Sequence, residues 1–364
     1  MASVNNYNKK IGIDCHVLDK TRTGVARYLS NLLGYWKNEK NTEFIFYSMQ
    51  NVKNPFKIKS TALYYNFSLP RKAKKDKVDI LFLPFYMRPF FCSVPTVVAI
   101  HDISYITHPE WFNLYHRLAY KILVRRAVKK SKVIFACSEY TKNEILKYYS
   151  SSANIYVVPL AADKKFNAIK NENKIQTIKN KYGLKNKYLF YAGTIFNRRH
   201  VLELIEAFKL ILTEFPDRQL LISGKDLTNP HQNIDKIIEN VPQIKKINYV
   251  DEEDLIYLYQ GAEIFIYLSE YEGFGLPPLE AMACGTPVLT TRMTSLNEVL
   301  GDYSIAVDNP YDVNEIKDKI TKILSDENLR KNMIEKGLQR VENFSWEKTA
   351  QKTYKILISN YPDV

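Results

Sequence analysis

Two glutamates, Glu272 and Glu280, stand eight residues apart in the string EGFGLPPLEAMACGTPV, which occupies positions 272–288. An ionised carboxylate only accepts hydrogen bonds, and bonds to such charged groups are about twice as strong as neutral ones. This pair can therefore accept hydrogen bonds from a bound ligand. The backbone N–H groups between the two glutamates can donate to ligand oxygens, because glycines let the backbone approach a ligand closely. The residues concerned are Gly273, Phe274, Gly275 and Leu276.

The elements that position the glutamates can be predicted from their neighbours. The apolar run IFIYL at 264–268 predicts a buried strand that ends just before Glu272. Pro277 and Pro278 favour the first turn of a short helix, with Glu280 also expected in that turn. Pro287 to Thr291 then predicts the next strand. Open α/β sheets bind ligands at the carboxyl ends of strands. A purely structural role stays open, since a carboxylate near a helix N-terminus is favourable and a loop glutamate can simply be solvated.

The whole string resembles the Glu-x7-Glu signature of the retaining glycosyltransferases of family 4, which have the GT-B fold. The resemblance implies that Glu272 accepts hydrogen bonds from the hydroxyls of a donor sugar. It also implies that Glu280 accepts them from the ribose of a nucleotide. Glycosidases use two carboxylates as well, but theirs flank the scissile bond from separate elements.

Further motifs extend the resemblance along the chain. Gly193-Thr194 followed by Arg198-Arg199-His200 resembles the Gly-Thr…Arg-Lys-Asn segment of the family, with Arg199 in place of a lysine that binds diphosphate. Thr194 stands where some relatives carry an arginine. Lys225, after Gly224, resembles a second basic contact, and Val250 lies in a loop whose backbone holds the base in the family.

Three residues of the first half also match. Gly24 in TGVARY resembles a flexible loop that covers the donor phosphates. His101 and Asp102 follow the apolar run TVVAI and resemble the His-Asp segment of the family. The resemblance implies that His101 contacts the transferred sugar, although a lone histidine is more often structural.

Strand and helix patterns alternate along the chain, which predicts βαβ units and parallel sheets. The expected architecture is α/β: a GT-B fold of two Rossmann-like, doubly wound parallel-sheet domains that face a central cleft. The first domain is predicted over 1–165 with a C-terminal helix from 345–364, and the nucleotide-sugar domain over 166–344. The Lys/Asn-rich stretch 164–187 is the expected connection. The predicted strands are Ile11–Val17, Phe44–Tyr47, Ile80–Leu83, Thr96–Ile100, Val133–Cys137, Ile155–Pro159, Tyr188–Ala192, Gln219–Ser223, Ile247–Val250, Ile264–Leu268 and Pro287–Thr291.

Charge is distributed unevenly. Residues 1–165 hold 27 Lys and Arg against 11 Asp and Glu, a net charge of +16, whereas the rest of the chain has a net charge of −3. Such asymmetry indicates an anionic partner. No nucleic-acid-binding motif is visible, so an anionic membrane surface or a lipid phosphate is the better hypothesis. A basic helix is predicted over 115–130, with Tyr115, Leu118, Ile122 and Val128 on one stripe. Plain solubility, with the stripe packed on the sheet, explains the pattern equally well.

The remaining composition favours a cytoplasmic protein that can lie peripherally on a membrane. The 364 residues are 46% hydrophobic, enough for two cores. Four cysteines have no CxxC spacing, the first residues lack a secretory h-region, and no apolar run reaches the length of about 20 residues that spans a bilayer.

The resulting hypothesis is a metal-independent hexosyltransferase that retains anomeric configuration, with Glu272, His101, Arg199 and Lys225 as catalytic residues and no cofactor. The best candidate donor is GDP-mannose, with UDP- or dTDP-sugars as alternatives, and the expected acceptor is a glycan or a lipid-linked hydroxyl in surface polysaccharide synthesis. No Asp-x-Asp metal motif and no Ser-His-Asp or Cys-His arrangement is evident. A sugar-nucleotide epimerase, a silent nucleotide binder and a nucleic-acid binder are less favoured.

Overall fold

The structure, a computed structural model, describes residues 9–19, 24–50, 60–150, 153–185 and 187–360. The chain divides into two compact units, Met1–Leu160 with Trp346–Val364 and Ala161–Ser345. Each unit is built on a parallel β-sheet.

The sheet of the first unit has the strand order β2-β1-β3-β4-β5-β6 in its described residues, and every pair is parallel. Chain order reverses between β1 and β3, which makes the carboxyl ends of these two strands the topological switch point. Three central strands are fully buried and, apart from Thr96, apolar, as parallel strands covered on both faces must be. The strands are β1 Lys9–Asp14, β2 Thr42–Tyr47, β3 Ile80–Leu83, β4 Thr96–Ile100, β5 Val133–Ala136 and β6 Asn154–Val157.

Helices of the first unit fill the crossovers. A π-helical turn at 64–68 joins the second helix to the third. Ser138 begins the sixth helix as its N-cap, as predicted, and its Oγ accepts a hydrogen bond from the Thr141 amide. The helices are α1 Gly24–Trp36, α2 Thr61–Leu63, α3 Leu69–Lys75, α4 Ser104–Thr107, α5 Leu114–Lys130 and α6 Glu139–Tyr148.

The sheet of the second unit has the order β12-β11-β10-β7-β8-β9, again all parallel in the described residues. Renumbered within the unit this is 3-2-1-4-5-6, the order of dinucleotide-binding Rossmann sheets, with the switch point between β7 and β10. The strands are β7 Tyr188–Ala192, β8 Gln219–Ser223, β9 Ile244–Ile247, β10 Ile264–Tyr267, β11 Val288–Thr291 and β12 Ile305–Val307.

The predicted connection 164–187 is not a plain linker, because it contains a helix that packs beside the one at 252–261. Two consecutive helices, at 313–325 and 327–341, follow the last strand of the second unit. The helices are α7 Glu172–Lys181, α8 Val201–Ile211, α9 Ile234–Ile238, α10 Glu252–Gly261, α11 Leu276–Ala283, α12 Thr294–Leu300, α13 Val313–Ser325 and α14 Glu327–Val341.

The last helix, α15 Trp346–Ser359, belongs to the first unit and packs against α1. The indole N–H of Trp36 donates to the Ala350 carbonyl at 3.0 Å, so a buried polar group of α1 depends on this helix. The chain therefore completes the core of its first unit with its final residues.

Two strand predictions are wrong in position. The strand predicted at Ile11–Val17 ends at Asp14, and a 3-10 turn over His16–Asp19 follows it. The strand predicted at Ile247–Val250 lies three residues earlier, at β9, because two lysines interrupt its apolar pattern at a sheet edge. Val250 consequently lies in the loop that precedes α10.

Candidate functional site

An ion pair between Arg199 and Glu272 lies at the switch point of the second sheet. Arg199 follows β7 in a 3-10 turn, and Glu272 follows β10. The guanidinium donates to Glu272 Oε1 from Nε at 3.1 Å and from Nη2 at 2.9 Å. Its Nη1 donates to the Thr194 carbonyl at 2.8 Å. The structure thus brings together three residues that the sequence predicted separately.

All hydrogen bonds of the Glu272 side chain converge on one oxygen. Besides Arg199, the Tyr267 hydroxyl donates to Oε1 at 2.8 Å and the Ser269 hydroxyl at 2.9 Å. Within the described residues, Oε2 accepts no hydrogen bond. Arg199 also has a side-chain hydrogen bond with Tyr191, which leaves at least one of its five guanidinium N–H groups without a described acceptor. The pair is held firmly, yet it keeps one free acceptor and at least one free donor.

The backbone of Glu272 is fixed by the loop that follows β11. The Glu272 amide donates to Thr294 Oγ1 at 3.2 Å, and Ser295 Oγ donates to the Glu272 carbonyl at 2.7 Å. Thr294 has φ of 53°, which is a strained conformation for a β-branched residue. Such strain costs about 1–3 kcal/mol and tends to persist at functional sites. Three neighbouring loops therefore cooperate to hold one carboxylate.

Both members of the pair are charged at neutral pH. Burial on its own would raise the pKa of Glu272, but attraction to Arg199, and then to Arg198, lowers it below its ordinary value. Burial would lower the pKa of Arg199, and the Glu272 carboxylate outweighs this and raises it. The side chains are 12% and 15% exposed, so the pair is only slightly open to solvent.

Glycines allow the loops after β7 and β8 to touch. A Cβ on Gly224 would lie 1.9 Å from the Gly193 carbonyl oxygen, and one on Gly193 would lie 2.9 Å from Arg199 Nη1. The Ile195 amide donates to the Lys225 carbonyl at 2.9 Å. Lys225 is therefore anchored beside the loop that carries Arg199. Its side chain is exposed, and its ammonium pairs with no carboxylate of the described chain.

Glu280 is more deeply buried than Glu272. It is the fifth residue of α11, so the prediction that it sits in the first turn is wrong: the helix begins at Leu276, and the two prolines fill its first turn. The residue is 2% exposed, and Oε2 accepts a hydrogen bond from Tyr259 at 3.4 Å.

The segment between the glutamates forms the N-terminus of α11. Gly275 has φ of 97°, and a Cβ there would lie 2.5 Å from Leu296, so only glycine fits. The Phe274 ring is buried and packs edge-on against Phe344 at 5.5 Å. Phe274 can therefore offer a ligand only its backbone, as can Gly273 beside it. Because prolines have no N–H, the donors at this helix end are limited to the amides of residues up to Leu276.

His101 and Asp102 lie at the carboxyl end of β4 in the first unit. Nε2 of His101 is 3.1 Å from the Pro84 carbonyl, which can only accept, so Nε2 carries the proton. Burial lowers the pKa of His101, leaving a neutral ring whose Nδ1 is an acceptor. Asp102 Oδ1 accepts from the Ser104 amide at 3.0 Å and hydroxyl at 2.9 Å, which secures the start of α4.

Gly24 begins α1, and the residues before it, 20–23, lie outside the described part. A Cβ built on Gly24 would meet no described residue within 4 Å, so packing against the described residues does not require a glycine there.

Val250 is buried, and the exposed Tyr249 precedes it in the loop after β9.

Sequence reasoning missed the residues that hold Glu272 in place, namely Tyr267, Ser269, Thr294 and Ser295. Tyr267 could have been noticed as a hydroxyl-bearing residue at the carboxyl end of a buried strand. It also missed a buried pair at the switch point of the first sheet. There His16 Nδ1 lies 2.7 Å from Asp14 Oδ2, and the Tyr64 hydroxyl donates to Asp14 Oδ1 at 3.0 Å.

The predicted stripe on α5 is wrong. Val128 is buried with Val124 and Ala127, and these three residues face the core. The apolar residues of the N-terminal half face outward instead and are each more than half exposed. They are Leu114, Tyr115, Leu118 and Ile122. Residues 118 and 122 continue one helical row from 114, so the exposed apolar side chains share a face.

The described residues contain neither a cluster of metal ligands nor a helix that could span a membrane. No three His, Cys, Asp or Glu side chains are grouped so that they could hold a metal ion. None of the helices combines the length and the apolar character needed to cross a membrane. All four cysteines, which are described, are free thiols.

Family models match both halves of the chain. Residues 23–166 match the model described as Glycosyltransferase Family 4, and residues 174–340 match the one described as Glycosyl transferases group 1. The O-antigen chain mannosyltransferase B of Escherichia coli is 33% identical over 72% of this chain and 70% of its own length. The serotype-specific mannosyltransferase WbdA of Escherichia coli is 30% identical over 70% of this chain, which spans only 32% of that longer relative.

Solved structures agree on the fold. Sucrose-phosphate synthase of Thermosynechococcus elongatus superposes with a TM-score of 0.75 over 96% of this chain and 98% of its own, at 16% identity. HepE of Anabaena, solved in complex with UDP-glucose, superposes with a TM-score of 0.75 over 96% of this chain and 99% of its own, at 15% identity. The predicted GT-B architecture of two Rossmann-like α/β domains is confirmed.

Proposed function

The chain belongs to the glycosyltransferases of group 1 and family 4, and on that premise we propose that it transfers mannose from GDP-mannose to a hydroxyl of a glycan or lipid-linked acceptor. The reaction is proposed to retain anomeric configuration and to need no metal ion. The product belongs to a surface polysaccharide.

The observation that carries this proposal is the ion pair at the switch point of the second sheet. A nucleotide-sugar donor presents an anionic diphosphate next to sugar hydroxyls. Arg199 has at least one uncommitted N–H group for the diphosphate, and Glu272 has an uncommitted Oε2 for a hydroxyl. A lone glutamate would repel the phosphates, whereas a glutamate neutralised by Arg199 does not.

In the proposed reaction the bond between the anomeric carbon and the β-phosphate oxygen breaks. A bond from the same carbon to the acceptor oxygen forms on the same face, and the acceptor proton passes to a β-phosphate oxygen. Negative charge develops on the departing diphosphate, where Arg199 and Lys225 stabilise it. Glu272 holds the sugar and orients it for attack.

The other residues of the second unit bind the nucleotide in this proposal. Glu280 accepts hydrogen bonds from the ribose, and the backbone near Val250 contacts the base. Amides from Gly273 to Leu276 bind oxygens of the sugar or the phosphate. His101, Asp102, Thr194 and Gly24 keep their predicted parts as substrate contacts, and these parts stay predictions.

The choice of mannose is supported by relatives named as mannosyltransferases, at 33% and 30% identity. A UDP- or dTDP-sugar donor is the alternative. A further relative, the N-acetyl-α-D-glucosaminyl L-malate synthase of Bacillus anthracis, is 28% identical over 78% of this chain and is named for a sugar other than mannose.

A donor panel tests the proposal directly. The protein is incubated with GDP-mannose, UDP-glucose, UDP-N-acetylglucosamine and dTDP-rhamnose, and release of nucleoside diphosphate is measured with and without a mannose-terminated acceptor. Release from GDP-mannose that rises with the acceptor is the expected result. Faster release from a UDP-sugar would replace the donor, and no release from any donor would refute the enzymatic proposal. Arg199→Met serves as the inactive control.

We also propose that the outer face of α5 binds an anionic membrane on which the acceptor resides. The exposed apolar residues of this face are flanked by exposed Arg117, Lys121, Arg125 and Lys129. The neighbouring loop adds Phe91, which is 69% exposed, and Phe90, whose ring packs under Arg126 at 4.9 Å. Apolar side chains surrounded by basic ones are typical of interfacial helices, with about 1 kcal/mol per basic residue near anionic lipid.

Vesicle co-sedimentation tests this surface. Vesicles with phosphatidylglycerol should bind the protein at low salt, and phosphatidylcholine vesicles should not. Arg126 is left unchanged because it also donates to the Phe90 carbonyl. Binding should be lost when Arg117, Lys121, Arg125 and Lys129 become glutamine. The control replaces four exposed lysines of the second unit by glutamine, Lys174, Lys322, Lys331 and Lys336. If the control loses vesicle binding to the same extent, binding depends only on net charge and the α5 surface is not the binding site. If the wild type does not bind the vesicles, the proposal is refuted.

A further inference from the structure

His200 is buried in the second unit between two carboxylates. Its ring is 1% exposed, with Nδ1 3.4 Å from Glu203 Oε1 and Nε2 3.3 Å from Glu270 Oε1. The Tyr311 ring packs edge-on against it at 4.4 Å. Sequence reasoning gave this histidine no role.

The two carboxylates belong to different segments. Glu203 lies in the first turn of α8, and Glu270 lies in the loop after β10, two residues before Glu272. The Glu270 amide donates to the Arg198 carbonyl at 2.9 Å, which links this loop to the turn that carries Arg199. His200 directly follows that turn. The cluster therefore joins the supports of both members of the Arg199–Glu272 pair.

We propose that His200, as an imidazolium held by Glu203 and Glu270, is a positioning residue that fixes Arg199 relative to Glu272 for binding of the donor diphosphate. The inference rests on the proposed role of Arg199 toward that diphosphate. Two carboxylates around one ring favour its protonated form, in which both nitrogens are donors. A neutral ring would offer a donor to one carboxylate and a lone pair to the other.

The electrostatic surroundings of the ring agree with a retained proton. Burial on its own would lower the pKa of His200, but its contacts with Glu203 and Glu270 outweigh burial and raise the pKa to about 9. Facing groups are these two carboxylates and the Tyr311 phenol, whose own pKa is raised to about 12 by Glu270. The adjacent cations are engaged elsewhere, Arg198 over the Phe196 ring at 4.5 Å and Arg199 with Glu272.

The backbone at this position limits the useful variants. His200 has φ of 47° and ψ of 41°, the left-handed conformation that asparagine tolerates well. His200→Asn therefore keeps the turn and removes the cation. Glu270→Gln keeps the ring and its geometry but removes one of the two charges that stabilise the proton. Tyr311→Phe keeps the ring contact and serves as the matched control.

The experiment combines an NMR titration with kinetics from pH 6.5 to 10. The His200 ring, assigned by its loss in His200→Asn, should stay protonated well above neutral pH, and Glu270→Gln should lower its midpoint. With GDP-mannose, or the donor that the panel identifies, His200→Asn should raise KM between about tenfold and about a hundredfold and lower kcat by a smaller factor. The reason is that Arg199 is displaced relative to the diphosphate but is still present. The advantage of the wild type over His200→Asn in kcat/KM should vanish as pH rises through the His200 midpoint. In Glu270→Gln the corresponding fall in kcat/KM should occur at lower pH. Tyr311→Phe should match the wild type.

Three results would overturn the inference: a ring that is neutral at pH 7.5, a KM in His200→Asn equal to that of the wild type, or a KM defect that does not depend on pH. If His200→Asn does not fold, the inference is tested by the His200 titration midpoint and the KM of Glu270→Gln. Failure of the wild type to release nucleoside diphosphate from any donor is a different outcome. It refutes the proposed function, while the NMR midpoint still decides whether the imidazolium is held.

Discussion

Replacing Glu272 should separate its part in stability from its part in catalysis. In Glu272→Ala the Arg199 guanidinium, 12% exposed, loses its carboxylate, and the hydroxyls of Tyr267 and Ser269 lose their acceptor. Breaking a buried ion pair by removal of one partner costs about 3–5 kcal/mol. For a unit of this size, such a loss lowers Tm by about 6–20 °C.

Glu272→Gln is the more informative change. The amide oxygen can still accept the hydrogen bonds that converge on Oε1, so only the charge and part of their strength are lost. We expect a loss of about 1–3 kcal/mol in the free energy of unfolding. Turnover should fall by about 100- to 1,000-fold, the usual effect of removing one preorganised polar contact from a reacting group.

In Glu272→Gln the affinity for free nucleoside diphosphate should not fall with turnover. Glu272 competes with the phosphates for Arg199, so its neutralisation should leave GDP binding as tight as in the wild type, or tighter. Urea unfolding gives the stability, calorimetry with GDP gives the affinity, and diphosphate release gives the turnover. A Glu272→Gln protein with turnover within about threefold of the wild type would refute the assigned role. A stability loss below about 1 kcal/mol in Glu272→Ala would refute the buried pair.

The pKa of Glu272 predicts how the stability of the protein changes with pH. The pKa of folded Glu272 is lowered from 4.5. Its contribution to stability is therefore complete above the unfolded value and is lost as pH falls through the folded pKa. Below pH 4.5 the wild type should approach the stability of Glu272→Gln, and a constant difference down to strongly acidic pH would contradict this.

Four further outcomes are expected. Glu280→Ala should weaken GDP binding by about 1.5–3 kcal/mol in calorimetry, unlike Glu272→Gln, and equal losses in the two variants would contradict the ribose assignment. Excess EDTA should leave transfer unchanged, and a loss that Mg²⁺ or Mn²⁺ restores would establish a metal requirement. NMR of the product should show the anomeric configuration of the donor, so an inverted linkage would exclude retention. The free energy of unfolding should fall by about 3 kcal/mol between pH 6.5 and pH 9, because the pKa of His200 is raised to about 9 and the folded protein keeps a proton that the unfolded chain loses above pH 6.5; His200→Asn should lack this decrease.

Buried strands were predicted from sequence with their observed bounds where apolar residues run without interruption. Ile80–Leu83, Thr96–Ile100, Tyr188–Ala192 and Gln219–Ser223 are such cases. Each is fully buried, so a continuous apolar run is the pattern that burial on both faces imposes. β9 was misplaced because an edge strand with one covered face tolerates the lysines of IKKI.

The exposed row of α5 could not be predicted from periodicity. A helical stripe of apolar residues predicts a buried face only when the whole length of the helix lies on the core. Here the C-terminal half packs through Val124 and Val128, while Leu118 and Ile122 on the preceding turns are exposed. Which half of a helix lies on a sheet depends on the loops around it, and these leave no periodic signal.

The principal candidate site residues were predicted from sequence because a family order connects Arg199, Lys225 and the two glutamates, and their roles stay predictions. Their supports had no such signal. Ser269 and Thr294 are 25 residues apart, and only the parallel arrangement of β10 and β11 brings the loops after them together. Hydroxyls that meet through topology look like ordinary loop residues in the sequence.

The site also resolves an electrostatic conflict that the sequence leaves open. A transferase of this kind needs a cation for phosphate and a carboxylate for sugar hydroxyls, and a carboxylate beside a diphosphate is repelled. Pairing Arg199 with Glu272 through a single oxygen neutralises the carboxylate while leaving Oε2 and at least one guanidinium N–H group unused. A bidentate pair that used both carboxylate oxygens would bind more strongly but leave less for the donor. Lysine in place of Arg199 has no planar fork with which to hold Glu272 and the Thr194 carbonyl in one fixed plane. Arg199→Lys should therefore bind GDP through its remaining charge but transfer sugar slowly, and full transfer by that variant would show that the fork geometry is dispensable.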